Sequence, residues 1–140
     1  MVRFVSALLA AITWATFLPM LARAATGTET WSSLTAMPSE RGDLAVGAYG
    51  STIYVMAGYY QVNQYVDNTY YTSMDAYVAA TSAWSTMPPM PSSDLGIQYG
   101  AAGVVGSSLY FLGGKTGSNY YATMFEYEIA TAAWSNKPSM

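Results

Sequence analysis

The chain has 140 residues, 8 acidic and 5 basic, for a formal net charge of −3, and only 9% of its residues are charged. It holds no cysteine and no histidine, which excludes disulfides, a thiolate nucleophile, a Cys/His zinc site and a Ser-His-Asp relay. So few basic residues leave no surface for nucleic acid.

In chain order, the first predicted element is an export signal over residues 1–24. Arg3 supplies the positive start, Phe4 to Leu21 is uncharged and mostly apolar, Pro19 interrupts it, and Ala22-Arg23-Ala24 presents small residues for cleavage. Cleavage after Ala24 predicts a secreted or cell-surface protein. The alternative is an uncleaved signal anchor, because the uncharged run is within the roughly 17 to 25 residues of a membrane span. Only that alternative brings a membrane into play.

The rest of the chain is organised by an internal repeat. Asn68 to Ser85 returns fifty residues later as Ser118 to Ser135, keeping Tyr70, Tyr71, Met74, Tyr77 and Trp84 as Tyr120, Tyr121, Met124, Tyr127 and Trp134. Upstream, Gly50 to Gly58 matches Gly106 to Gly114. Trp31, Trp84 and Trp134 each have a methionine six positions on, at Met37, Met90 and Met140.

Ile53 to Ala57 and Leu109 to Leu112 are apolar runs bounded by glycine, the pattern of strands covered on both faces. The segment from Met74 to Trp84 reads as helix or strand in isolation, because Met74, Tyr77, Val78, Thr81 and Trp84 also fit helical spacing. The preceding strands need hairpin partners, which favours strand. A hairpin turning at Ala80-Thr81, or at Ala130-Thr131, then sets Tyr77 opposite Trp84 and Tyr127 opposite Trp134 as cross-strand aromatic pairs.

An apolar run, a Gly-Gly doublet, then Tyr, six residues and Trp resembles the kelch repeat. Leu109-Tyr110-Phe111-Leu112-Gly113-Gly114 with Tyr127 and Trp134 carries the full pattern, while the first copy has Ala57-Gly58 in place of the doublet. The resemblance implies an all-β fold of two four-stranded antiparallel propeller blades, an incomplete β-propeller, over residues 31–140. Blade one is expected at about 42–87 and blade two at about 95–136. Propellers hold four to eight blades, so the chain is expected to be a fragment of a longer propeller or to assemble from several copies.

The resemblance also implies a non-catalytic binding module whose glycine-ended strands lead into partner-binding loops. The loop from Tyr59 to Thr69 is about six residues longer than its counterpart, and it offers Tyr59, Tyr60, Asn63, Tyr65 and Asp67 to a protein or glycan ligand. Arg41, ten residues after Trp31, stands where kelch-like domains often carry a binding arginine, with Asp94 as its counterpart after Trp84; solvent pairing with Glu40 or Asp43 is the plainer role. Lys115 and Asn119 complete the candidate set. No catalytic residue, metal ligand or cofactor is expected. Glu126 and Glu128 share one side of a strand, at a separation that glycoside chemistry uses, but a solvent-facing strand edge accounts for them better. The alternative function is the front end of a secreted propeller enzyme whose catalytic residues lie in other blades.

Overall fold

Glycine sets the first hairpin of each repeat. Gly50 and Gly106 adopt φ of 59° and 60° in two-residue turns that join Tyr49 to Thr52 and Val105 to Ser108; this is the left-handed geometry that a tight hairpin needs. The computed structural model describes residues 30–61, 69–91 and 96–140. The signal segment and the candidates Asn63, Tyr65, Asp67 and Asp94 lie outside the described residues.

All regular structure among the described residues is strand. Blade one orders β1 (Ala45–Tyr49), β2 (Thr52–Met56), β5 (Met74–Val78) and β6 (Ala83–Met87) side by side and antiparallel. Blade two repeats this with β7 (Ala101–Val105), β8 (Ser108–Leu112), β11 (Met124–Glu128) and β12 (Ala133–Lys137). Between the second and third strands of each blade sits a two-residue ribbon. It is β3 (Tyr59–Tyr60) with β4 (Thr69–Tyr70) in blade one, and β9 (Lys115–Thr116) with β10 (Asn119–Tyr120) in blade two. The segment open to a helical reading is therefore a hairpin, and the expected aromatic pairs form. Tyr77 faces Trp84 and Tyr127 faces Trp134, with ring centroids 5.1 and 5.0 Å apart.

Residues 33–140 form one unit whose core lies between the two sheets. Strand alternation sends Ala45, Tyr54, Met56, Met74 and Ala76 of blade one toward Leu109, Phe111, Phe125 and Tyr127 of blade two. Gly47 makes the close approach possible, since a Cβ there would stand 2.9 Å from Leu109 Cδ2. Tyr54 and Tyr127 meet across the gap at 6.4 Å, and burial raises both phenols above their ordinary pKa. Of the other unit, residues 30–32 are described, without regular structure, and Trp31 is fully exposed.

The departure from the glycine doublet has a backbone cost. Ala57 stands where blade two has Gly113, and it takes the same left-handed conformation, φ 59° against 62°. A Cβ makes that region unfavourable by about 1–2 kcal/mol. Glu126 and Glu128 do share one face of β11, but β11 pairs with a strand on each side and is not a sheet edge. Their oxygens are engaged: Tyr110 Oη donates to Glu126 at 2.8 Å, Lys137 pairs with Glu126, and Ser107 and Ser108 donate to Glu128 at 3.2 and 3.1 Å.

Candidate functional site

Both ribbons project from the same edge of their sheets, the edge where β2 and β8 end and β5 and β11 begin. The two-residue turns of β1–β2 and β7–β8 lie at the opposite edge. The ribbon edge collects tyrosine. In blade one, Tyr59 stacks on Tyr70 with centroids 5.9 Å apart, and Gly42, Asp43, Tyr59, Tyr60 and Gln61 line a depression of about 360 Å³. In blade two, the Lys115 ammonium lies 5.2 Å from the Tyr99 ring centroid and 5.8 Å from that of Tyr120, within range of cation–π attraction. Tyr120 is 81% exposed and Tyr99 58%.

Tyr99 joins the two halves. Its backbone N–H donates to Asp43 O at 2.9 Å, and the Asp43 carboxylate hydrogen-bonded to its hydroxyl raises the phenol pKa. Asp43 and Tyr99 hold equivalent places in the two blades, each one residue after an isolated bridge, Gly42 to Tyr59 or Gln98 to Lys115. Both take a left-handed backbone, φ 51° and 59°, a conformation that is uncommon for tyrosine and recurs at functional positions.

The sequence candidates divide on this geometry. Tyr59, Tyr60, Lys115 and Asn119 are all on the ribbon edge. Arg41 is elsewhere: its side chain has no exposure, and the guanidinium pairs with Asp75, not with Glu40 or Asp43 in solvent. It also donates to Ser73 Oγ at 2.9 Å, to Ser73 O at 3.2 Å and to Ala57 O at 3.3 Å, and it covers the Tyr71 ring at 4.9 Å. The reason is chain direction. The segment from Thr35 to Arg41 runs back along blade one, pinned where Trp84 Nε1 donates to Thr35 O at 3.0 Å. The bridges also make Ile97, rather than Asp94, the counterpart of Arg41, because the link from Trp84 to the next bridge is longer than the link from Trp31.

Sequence reasoning missed Asp43 and Tyr99 as site residues. Tyr70 and Tyr120 also belong to the site, and their recurrence at matching positions of the repeat is the sequence signal for them. Nothing local marks Tyr99 except an isolated tyrosine before a glycine.

Residues 40–91 match the family model for the kelch motif. The stretch runs from the segment ahead of β1, through all of blade one, to Pro91. This stretch is similar to a kelch repeat. Blade two, with identical strand order and register, is built on the same plan. Kelch repeats are typically non-catalytic and mediate protein interactions. No curated protein matches the chain.

Proposed function

We propose that the chain is an exported kelch-type interaction module that binds an extended segment of a partner protein along its ribbon edge. The observation that carries this reading is the continuous row of Tyr59 on Tyr70, Asp43 against Tyr99, and Lys115 over Tyr99 and Tyr120. Rigid tyrosine faces supply contact area at low entropic cost, and interspersed polar groups orient a chain lying across them. Lys115 has no carboxylate partner among the described residues, which leaves its charge for an acidic side chain of the ligand. The export part of the reading is supported by the pattern of residues 1–24.

A glycan is the second reading. The wide exposure of the Tyr120 ring favours it, with Asn119 exposed beside it, because sugar rings stack on such faces. Paired peptide and glycan arrays probed with the full chain separate the two. Signal on peptides that falls at least tenfold with Tyr59→Ala and Tyr120→Ala supports the first reading. Signal on glycans alone supports the second, and a profile unchanged by both substitutions removes the ribbon edge as the site.

A further inference from the structure

The contact between the two blades can be compared with the two faces the pair leaves open, because the repeat puts equivalent residues on each. Toward blade two, blade one presents Ala45, Gly47, Tyr54, Met56 and Met74. At the equivalent positions of its outward face, blade two presents Ala101, Gly103, Tyr110, Leu112 and Met124. The seat is kept but not filled. A Cβ on Gly47 would meet Leu109, whereas a Cβ on Gly103 has no neighbour within 4 Å. Where Ala76 and Met87 lie in blade one, this face has Glu126 and Lys137, which neutralise each other as an ion pair.

The opposite open face, on blade one, offers what such a seat takes. Ile53 is the equivalent of Leu109 and Val46 that of Ala102, yet Ile53 is 40% and Val46 50% exposed, while Leu109 is fully buried. Backbone polarity agrees. Between the blades, Gly58 N–H donates to Ile97 O at 2.7 Å. Its equivalent, Gly114 N–H, has no acceptor among the described residues and opens on a cleft of about 670 Å³ bounded by Leu112, Lys115 and Met140. The carbonyl equivalent to Ile97 O is that of Arg41.

We infer that the outward face of blade two docks the open face of blade one of a second copy of this chain, head to tail, by repeating the contact between the two blades. Charge selects a second copy. In the existing contact Tyr99 of blade two comes against Asp43 and beside Tyr59. In the repeated contact the incoming Asp43 takes the place of Tyr99, and Lys115 takes that of Tyr59. The incoming carboxylate thus reaches an ammonium that lacks one. Such a heterologous contact uses different faces on the two copies, so it propagates to a closed ring or an open filament; a ring of two to four copies holds the four to eight blades of a propeller.

One local rearrangement accompanies docking. Met140 N–H donates to Ala122 O just as Met90 N–H does to Thr72 O, both at 2.9 Å. The Trp84 and Trp134 bonds to Thr35 O and Pro88 O make residues 35–37 of the incoming copy equivalent to 88–90 as well. Two segments therefore claim one place. Residues 35–37 are anchored twice, by Trp84 and by Thr35 Oγ1 donating to Ser82 O at 3.0 Å, so 138–140 give way.

A docked copy and the proposed ligand would compete for the Lys115 charge, so the inference is tested without ligand, by association of the full chain alone, measured by light scattering and sedimentation over a hundredfold concentration range. Mass should rise to a discrete two to four chain masses. Gly103→Leu, which fills open space and spares the monomer, and Ile53→Asp, at an exposed position, should each shift the sample to monomer. Mixed together they should give a dimer and nothing larger, because each keeps the one face the other lacks. Circular dichroism of each variant checks that the blades remain folded. Both variants retain the apolar N-terminal run, so association through that run would survive both changes and would overturn the inference. A wild-type monomer throughout the range would also overturn it. Removing residues 138–140 should tighten association at least threefold; unchanged or weaker association counts against the docking geometry.

Discussion

Asp75→Ala tests how blade one is held. Arg41 and Asp75 are both out of solvent, with side-chain exposures of 0% and 4%, and Asp75 also accepts from Thr86 Oγ1 at 3.3 Å. Removing the carboxylate leaves a buried guanidinium with only neutral acceptors, and breaking a buried pair in this way costs about 3–5 kcal/mol. Against a total stability of about 5–15 kcal/mol, that is a large share, and it should lower Tm by more than about 10 °C. Blade two supplies the control. At the equivalent positions it has Ile97 and Phe125, both buried in the core, so an apolar pair already fits this architecture. Arg41→Ile with Asp75→Phe removes both charges together and should recover stability to within about 1–2 kcal/mol of the parent, since replacing a buried ion pair by packed apolar groups is often neutral. Urea unfolding followed by tryptophan fluorescence gives both numbers. A single-variant loss below about 1 kcal/mol, or a double variant as unstable as Asp75→Ala, would refute the reasoning.

Two further expectations come from local geometry. A Cβ on Gly100 would overlap the Phe111 ring, so Gly100→Ala should cost about 1–3 kcal/mol; equal unfolding midpoints for Gly100→Ala and Gly103→Ala would contradict the packing described. The Lys137 ammonium, followed by the Tyr110 hydroxyl, holds Glu126 down to a pKa of about 2. A carboxylate depressed in the folded state stabilises the fold above its ordinary pKa of 4.5, and that contribution is lost as pH falls from 4.5 toward 2. Carboxyl-resolved NMR titration should find this low midpoint and should see it rise in Lys137→Met; a midpoint near 4.5 in the parent would contradict the pair.

Much of the architecture was legible because the repeat carried it. The recurrence of Tyr77 and Trp84 at Tyr127 and Trp134 gave both hairpins and their register, while the glycines at 50 and 106 were legible only as matched positions of the repeat, not as the tight turns they form. The ribbons were not legible, since two-residue strands such as Tyr59–Tyr60 and Lys115–Thr116 have no periodicity to read. Arg41 shows why the site was only half legible. Counting from tryptophan placed it with the loops, but its burial depends on Asp75, thirty-four residues later, and on the path of the segment from Thr35. Lys115, Tyr59, Tyr60 and Asn119 reached the ribbon edge because they directly follow or flank the glycine-ended strands. Tyr99 was hidden because its role comes from a contact between blades.

Recognition along the ribbon edge is tested most directly by tyrosine footprinting of the full chain with and without the peptide that the array selects. The row should be protected on binding at Tyr59, Tyr70, Tyr99 and Tyr120, while Tyr49, at the opposite edge beside the Gly50 turn, should label as before. Protection at Tyr49 with Tyr59 and Tyr120 unchanged would contradict the assignment of the binding edge.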